Sequence, residues 1–151
     1  MLATRPLFEL RLEVPPLIDL GDTPYGRRRI AAVTGGSFEG ERLRGSVLGA
    51  PGGDWLLQRP DGVLVLDVRI VLKTDDGALI YMAYRGLRHG AAEVMERLAR
   101  GEAVDASSYY FRITPTFETA APAYAWLNRL LAVGIGHREP AGPVYRVEEL
   151  L

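Results

Sequence analysis

An antiparallel β-barrel of about eight to nine strands, with one amphipathic helix, is the fold this sequence predicts. Three observations lead there. Glycine and proline, 17 and 10 of the 151 residues, recur at short intervals along the chain. Between them lie β-like segments at 6–14, 27–35, 42–49, 54–59, 63–74, 78–88, 108–118, 129–137 and 143–149. Only one stretch, near 90–100, has sustained helical periodicity. Closely spaced strands with a lone helix favour a barrel or sandwich over a doubly wound fold.

The connections support the same reading. Asp75-Asp76-Gly77 separates two strong strands and fits a three-residue hairpin: a type I turn closed by a left-handed glycine. Asp61-Gly62 marks another turn. In AAEVMERLARG, residues Ala91, Val94, Met95 and Leu98 share one helical face, and Gly101 supplies a stop. A shorter helical turn near 122–128 starts at Pro122, which suits a first helical position, and carries Tyr124, Trp126 and Leu127. The length suits a single domain over 1–151.

Composition narrows the function classes. The chain is 48% hydrophobic with a net charge of −1, as in an ordinary soluble globular protein. That balance argues against nucleic acid or an anionic membrane as partner. The one basic run, Arg27-Arg28-Arg29, lies in a β-like segment that splits it between two faces. Cysteine is absent, which excludes disulfides and thiolate chemistry and makes the cytoplasm the expected location. The first residues, MLATRPLFELRLEV, become charged by Arg5 and do not read as a secretory signal, and no stretch has the length of a membrane span. Lys73 is the sole lysine, so a Schiff base has one candidate only. His89 and His137 are the only histidines and form no metal-binding spacing. His89, between a strand and the helix, reads as a loop or cap residue, with a general base as the alternative. The serines lack a nucleophile-elbow setting, and VTGGSFEG lacks the lysine and helix of a phosphate loop, so it reads as a bend or bulge.

Segment 63–74, VLVLDVRIVLKT, carries the functional expectation. Its even positions are wholly apolar, and its odd positions are Val63, Val65, Asp67, Arg69 and Val71. Valine at three of five odd positions suggests a strand buried on both faces, with one carboxylate and one guanidinium set into an apolar wall. Buried charge is costly unless paired, and pairing alone seldom improves on apolar packing, so such a pair is either a structural salt bridge or a functional site. A three-residue loop at 75–77 places Asp67 opposite Arg85 and Tyr81 opposite Val71. Asp67, Arg69, Tyr81 and Arg85 then share a wall.

The stretch YYFRITPTFE alternates in the same way. Tyr110, Arg112, Thr114, Thr116 and Glu118 occupy one face, and Tyr109, Phe111, Ile113, Pro115 and Phe117 the other. The polar face is expected to point inward with the Asp67 wall; a solvated face is the alternative. Trp55 and Trp126 beside turn backbone suit the walls of a small-molecule pocket or the core. Asn128 either donates to a ligand or holds a turn.

The ordered segments VTGGSFEG, LRGSVL, GGDW, DGVLVLDVR, TDDGALIY, GLRHG, YYFR, FET and YAWLN resemble a family of small, largely bacterial proteins. It is known as domain of unknown function 3237 or uncharacterised protein family 0311. The resemblance covers nearly the whole chain and implies a compact antiparallel barrel with a helix. It brings no mechanism.

The expected function is binding of a small organic molecule in the barrel interior, with acid–base chemistry on a carbonyl- or carboxylate-bearing compound. Asp67 or Glu118 would accept a proton. Arg69 and Arg112, with Arg85, would orient the oxygen groups. Tyr110 and Tyr81 would donate to a developing enolate. Isomerisation, cyclisation or elimination needs no more than these parts, and no metal or cofactor is called for. A non-catalytic carrier or sensor, or a structural module, are the alternatives. Uncovered strand edges suggest a homodimer.

Overall fold

The computed structural model describes all 151 residues. It contains eleven strands: β1 (Thr4–Glu13), β2 (Ile18–Thr23), β3 (Gly26–Ala32), β4 (Gly35–Glu39), β5 (Arg44–Val47), β6 (Gly53–Gln58), β7 (Leu64–Thr74), β8 (Leu79–Gly90), β9 (Tyr109–Glu118), β10 (Ala132–Glu139) and β11 (Gly142–Leu150). All pairings are antiparallel. The order β7-β5-β4-β1-β11-β10-β9-β8 closes on itself through β7–β8, so eight strands form a barrel. Closure removes the free edges that an open sheet of this size would expose.

β7 is the fork of the sheet. Its first half, Leu64 to Arg69, pairs with β6, and its last residues, Leu72 to Thr74, pair with β5. β6 continues outward into β3 and β2, giving a three-stranded wing that widens one end of the barrel. The wing is tied back to β1 where the Thr34 N–H donates to the Glu13 carbonyl. The sequence reads 27–35 as one strand, but the chain leaves β3 after Ala32 and starts β4 at Gly35 to pair with β1. Gly36 has φ +146°, and a Cβ there would lie 2.1 Å from the Arg11 carbonyl oxygen, so VTGGSFEG is a strand entry that only glycine fits. β2, in a glycine- and proline-rich stretch, is absent from the sequence reading for the same reason: its residues carry little β signal.

The turns follow their chemistry. Lys73 pairs with Leu79 and Gly77 has φ +92°, which is the three-residue loop with a left-handed glycine. The register it sets pairs Asp67 with Arg85 and Val71 with Tyr81, as the sequence predicts. Helix α1 (Ala92–Ala99) ends in a Schellman motif, with Gly101 donating to the Leu98 carbonyl and Glu102 to that of Arg97. The turn at Pro122–Arg129 is a 3₁₀ segment that buries Leu127. No helix is long and apolar enough to cross a membrane.

One apolar cluster of 25 buried residues fills the barrel. β7 contributes Leu64, Leu66, Val68, Ile70 and Leu72, β8 Ile80, Met82 and Tyr84, and β9 Tyr109, Phe111, Ile113 and Phe117. These are the even row of β7 and the odd row of β9. Their opposite rows therefore face outward.

Candidate functional site

The interior is not filled at the widened end. A cavity of about 900 Å³ lies between the wing, β7, β8, β11 and α1. That is at the upper end of the range for small-molecule sites. Leu12, Val33, Leu56, Leu66, Val68 and Phe111 supply apolar wall, and Met95 and Leu98 of α1 line one side. Set among them are Arg29, Asp54, Tyr84, Arg88, Arg138 and Tyr145.

Strand register gathers these polar groups. Ala31, Asp54, Val68 and Tyr84 are successive partners across β3, β6, β7 and β8, so their side chains emerge on one side in a row. A second row runs Gln58, Leu64, Arg88, Phe111. From the other side of the barrel comes Tyr145, opposite Gly136 of β10 and Leu10 of β1. Gly136 is an opening for rings: a Cβ there would stand 2.9 Å from both Phe111 and Tyr145. Tyr145 meets Tyr84 and Phe111 edge-on at 5.3 Å between centroids.

Asp54 is the centre of the arrangement. Between Asp54↔Val68 and Leu57↔Val65 the β6–β7 ladder is interrupted, and the Asp67 N–H turns instead to the Asp54 Oδ1 at 3.1 Å. Burial pushes the Asp54 carboxyl up to about 6, against the opposing pull of that N–H and of Arg88 and Arg138. Neither guanidinium closes to hydrogen-bonding distance on it. Arg88 is drawn down to about 10, first by burial and then by repulsion from Arg138. The Tyr84 and Tyr145 hydroxyls are buried close to one another without a well-formed hydrogen bond, and the Arg88 Nε is buried without a partner. Burial raises the pKa of both phenols, the neighbouring Tyr145 hydroxyl adds to the rise at Tyr84, and the Asp54 charge adds to it at both, so both are protonated donors at neutral pH.

An unpaired buried hydroxyl costs about 1–3 kcal/mol. Two such groups beside a carboxylate mark a place where stability has been given up. Tyr145→Phe and Tyr84→Phe are each expected to raise the unfolding free energy by about 1 kcal/mol. Chemical denaturation checks this, and a loss of stability in both variants would show that the hydroxyls are bonded after all.

A family model described as "protein of unknown function (DUF3237)" matches residues 2–150. The chain belongs to this family. A member from Rhodopseudomonas palustris, a UPF0311 protein, is 36% identical over 150 residues, spanning 99% of this chain and 97% of the relative. The crystal structure of a conserved protein of unknown function from that organism superposes with a TM-score of 0.96 at 36% identity, covering 100% of this chain and 99% of that one. A β-barrel-like protein from Acinetobacter baumannii is 41% identical with a TM-score of 0.87, covering 100% and 97%. An enzyme from Penicillium herquei shares the fold at 20% identity and a TM-score of 0.75, covering 99% and 95%.

In this family member the residues singled out from sequence fall in several separate groups, all outside the cavity. Asp67 and Arg85 face each other at 4.0 Å with Arg85 70% exposed. Tyr81 pairs with Glu118 along a shallow outer groove. Tyr110 stacks on His89 and lies under the Arg112 guanidinium, at 4.9 Å in each case. Trp55 is an outer-face ring with Arg69 at 5.6 Å. Trp126 donates to the Ala123 carbonyl and carries Arg42 over its ring. Asn128 holds the turn, accepting from the Thr119 N–H and donating to the Thr119 carbonyl. None of these ten side chains lines the interior cavity. The expectation of an inward-facing polar wall is thus corrected. The valines of β7 are half covered by neighbours on the convex surface, which reads as burial in sequence. Asp67 reaches the site only through its backbone N–H.

The residues that do line the site had a signal of their own. Arg88 ends the inward row Ile80, Met82, Tyr84, Gly86, and Asp54 alternates with buried Leu56. A charge appended to a core-facing row was the mark to follow. No three His, Asp or Glu side chains converge to hold a metal ion.

Proposed function

We propose that the protein binds a small organic molecule in this cavity and moves a proton on it, with Asp54 as base. The observation that carries the reading is the half-buried Asp54 carboxyl, pushed up to about 6 by loss of solvent, beside two protonated phenols and two guanidiniums that close no ion pair. A base tuned toward working pH is what proton abstraction requires. Asp54 would take a proton from the carbon next to a carbonyl. The electron pair moves onto the carbonyl oxygen, where Arg88, Arg138 and the phenols can stabilise it, and the proton returns to the same or another carbon. Isomerisation, ring closure and elimination are all variants of that step. The fold-mate from Penicillium herquei is an enzyme, which supports the idea that this barrel can host chemistry.

Phenylpyruvate in D₂O tests the reading, because it combines a carbonyl, a carboxylate, an apolar ring and an exchangeable methylene. The wild-type protein is expected to speed deuterium entry at that methylene, followed by NMR, and Asp54→Asn to return it to the buffer rate. Equal rates with both proteins would leave a carrier and overturn the catalytic reading.

A further inference from the structure

The charges around the cavity do not balance. Three guanidiniums line it, Arg29, Arg88 and Arg138, and of the three carboxylates in the lining, Asp54, Asp61 and Glu96, only Asp54 is withdrawn from the surface. Other acids nearby are committed elsewhere or face water. Asp61 is tied to Arg59, Glu139 is shared by Arg11 and His137, and Glu96 is exposed on α1. Arg88 has no ion pair, its Nε has no partner, and it sits close enough to Arg138 to feel its repulsion. Uncompensated positive charge in a largely apolar chamber is costly unless something negative enters. A small hydrated ion would leave the apolar part of the wall, Leu56, Leu66, Val68 and Phe111, uncovered.

Accepting the cavity as a ligand site, as proposed above, we infer that its occupant is an organic anion with a broad apolar body, its anionic oxygen held by Arg88 and Arg138. The body lies against Leu56, Leu66, Val68 and Phe111, and Arg29 completes the positive field from the wing. Planar guanidiniums suit a carboxylate or a phenolate equally. The two sources share the same recognition chemistry.

Three fluorescent probes with one ring system separate the possibilities: 1-pyrenebutyrate, 1-pyrenebutanol and 1-hydroxypyrene. A charge-assisted bond contributes about 1.5–3 kcal/mol, so pyrenebutyrate is expected to bind about tenfold or more tighter than the neutral alcohol. Arg88→Met should erase that advantage by weakening pyrenebutyrate far more than pyrenebutanol, and Arg138→Gln should do the same. Arg146→Gln, on the exposed face of β11, should not. The melting temperature of Arg88→Met should hold close to that of the wild type, since a repelled guanidinium is being removed; a purely structural arginine would lower it. Should 1-hydroxypyrene bind as its anion, seen by its shifted absorption, while pyrenebutyrate does not, a phenolate is the source. Should pyrenebutanol bind as well as pyrenebutyrate, the anion inference fails and the cavity reading stands. Should none of the three bind, the cavity reading itself falls.

Discussion

Asp54→Asn is expected to stabilise the protein at pH 8 by about 3 kcal/mol and by no more than about 0.5 kcal/mol at pH 4. The buried carboxyl titrates near 6 in the folded chain against an ordinary value of 3.8. Between those values the folded state keeps a proton that the unfolded state releases. Stability from this group is therefore full below pH 4, falls as the pH rises through 6, and stays lost above it. Asparagine never ionises and incurs no such loss, and its Oδ1 can still accept the Asp67 N–H. Other carboxylates act in the opposite direction: Glu149, held low by Arg42 and Arg5, loses its contribution as the pH falls. The wild-type curve mixes these effects, and the difference between variant and wild type isolates Asp54. In a protein of this size the gain at pH 8 amounts to roughly 6–12 °C in melting temperature. A difference that stays flat from pH 4 to pH 8 would show that Asp54 ionises normally and would remove its fitness as a base. Higher stability with lost exchange in the same variant is the signature of a residue kept for function.

Sequence reasoning reached the architecture and the register but took the wrong face. The loop at 75–77 fixed Asp67 opposite Arg85, and the structure has that pair. Within each strand the side chains of that wall share one parity, however, and parity is what decides inside from outside. Moving one residue, from Trp55 to Asp54 or from Tyr110 to Phe111, crosses from the outer surface to the cavity. The ambiguity arose because β7 carries valines on its convex face, where neighbouring side chains half cover them. An unmixed apolar row, Leu64 through Leu72, was the stronger indicator of the interior, and it pointed the other way. The approach of Tyr145 and Arg138 is not legible: they lie on β11 and β10, and only the strand order and curvature of the sheet bring them to Asp54 and Arg88.

Closure rests on a short contact, and Gly45→Ala is expected to destabilise the protein by more than about 4 kcal/mol. β5 is only four residues long and joins β4 to β7, with Gly45 paired to both Phe38 and Thr74. A Cβ on Gly45 would stand 2.0 Å from the Lys73 carbonyl oxygen and 2.8 Å from the Thr74 Cα. Both are backbone atoms, so no side-chain rotation relieves the clash, and the strands must part. Gly62→Ala makes the contrast: its φ of +86° disfavours alanine, but nothing lies within 4 Å, and about 1 kcal/mol is the expected loss. Guanidinium unfolding of the two variants measures the difference; equal small losses would show that β5 can be displaced without opening the barrel. The consequence reaches the site, because β7 carries the β5 contact at one end and the Asp54 partner strand at the other. With β5 released, Phe38, Val47 and Leu72 lose their cover and offer pyrene a second, unselective surface. Gly45→Ala should therefore take up more pyrene in total while losing the preference for pyrenebutyrate over pyrenebutanol, since that preference needs Arg88 and Arg138, on strands that flank β9, held in place over an enclosed cavity.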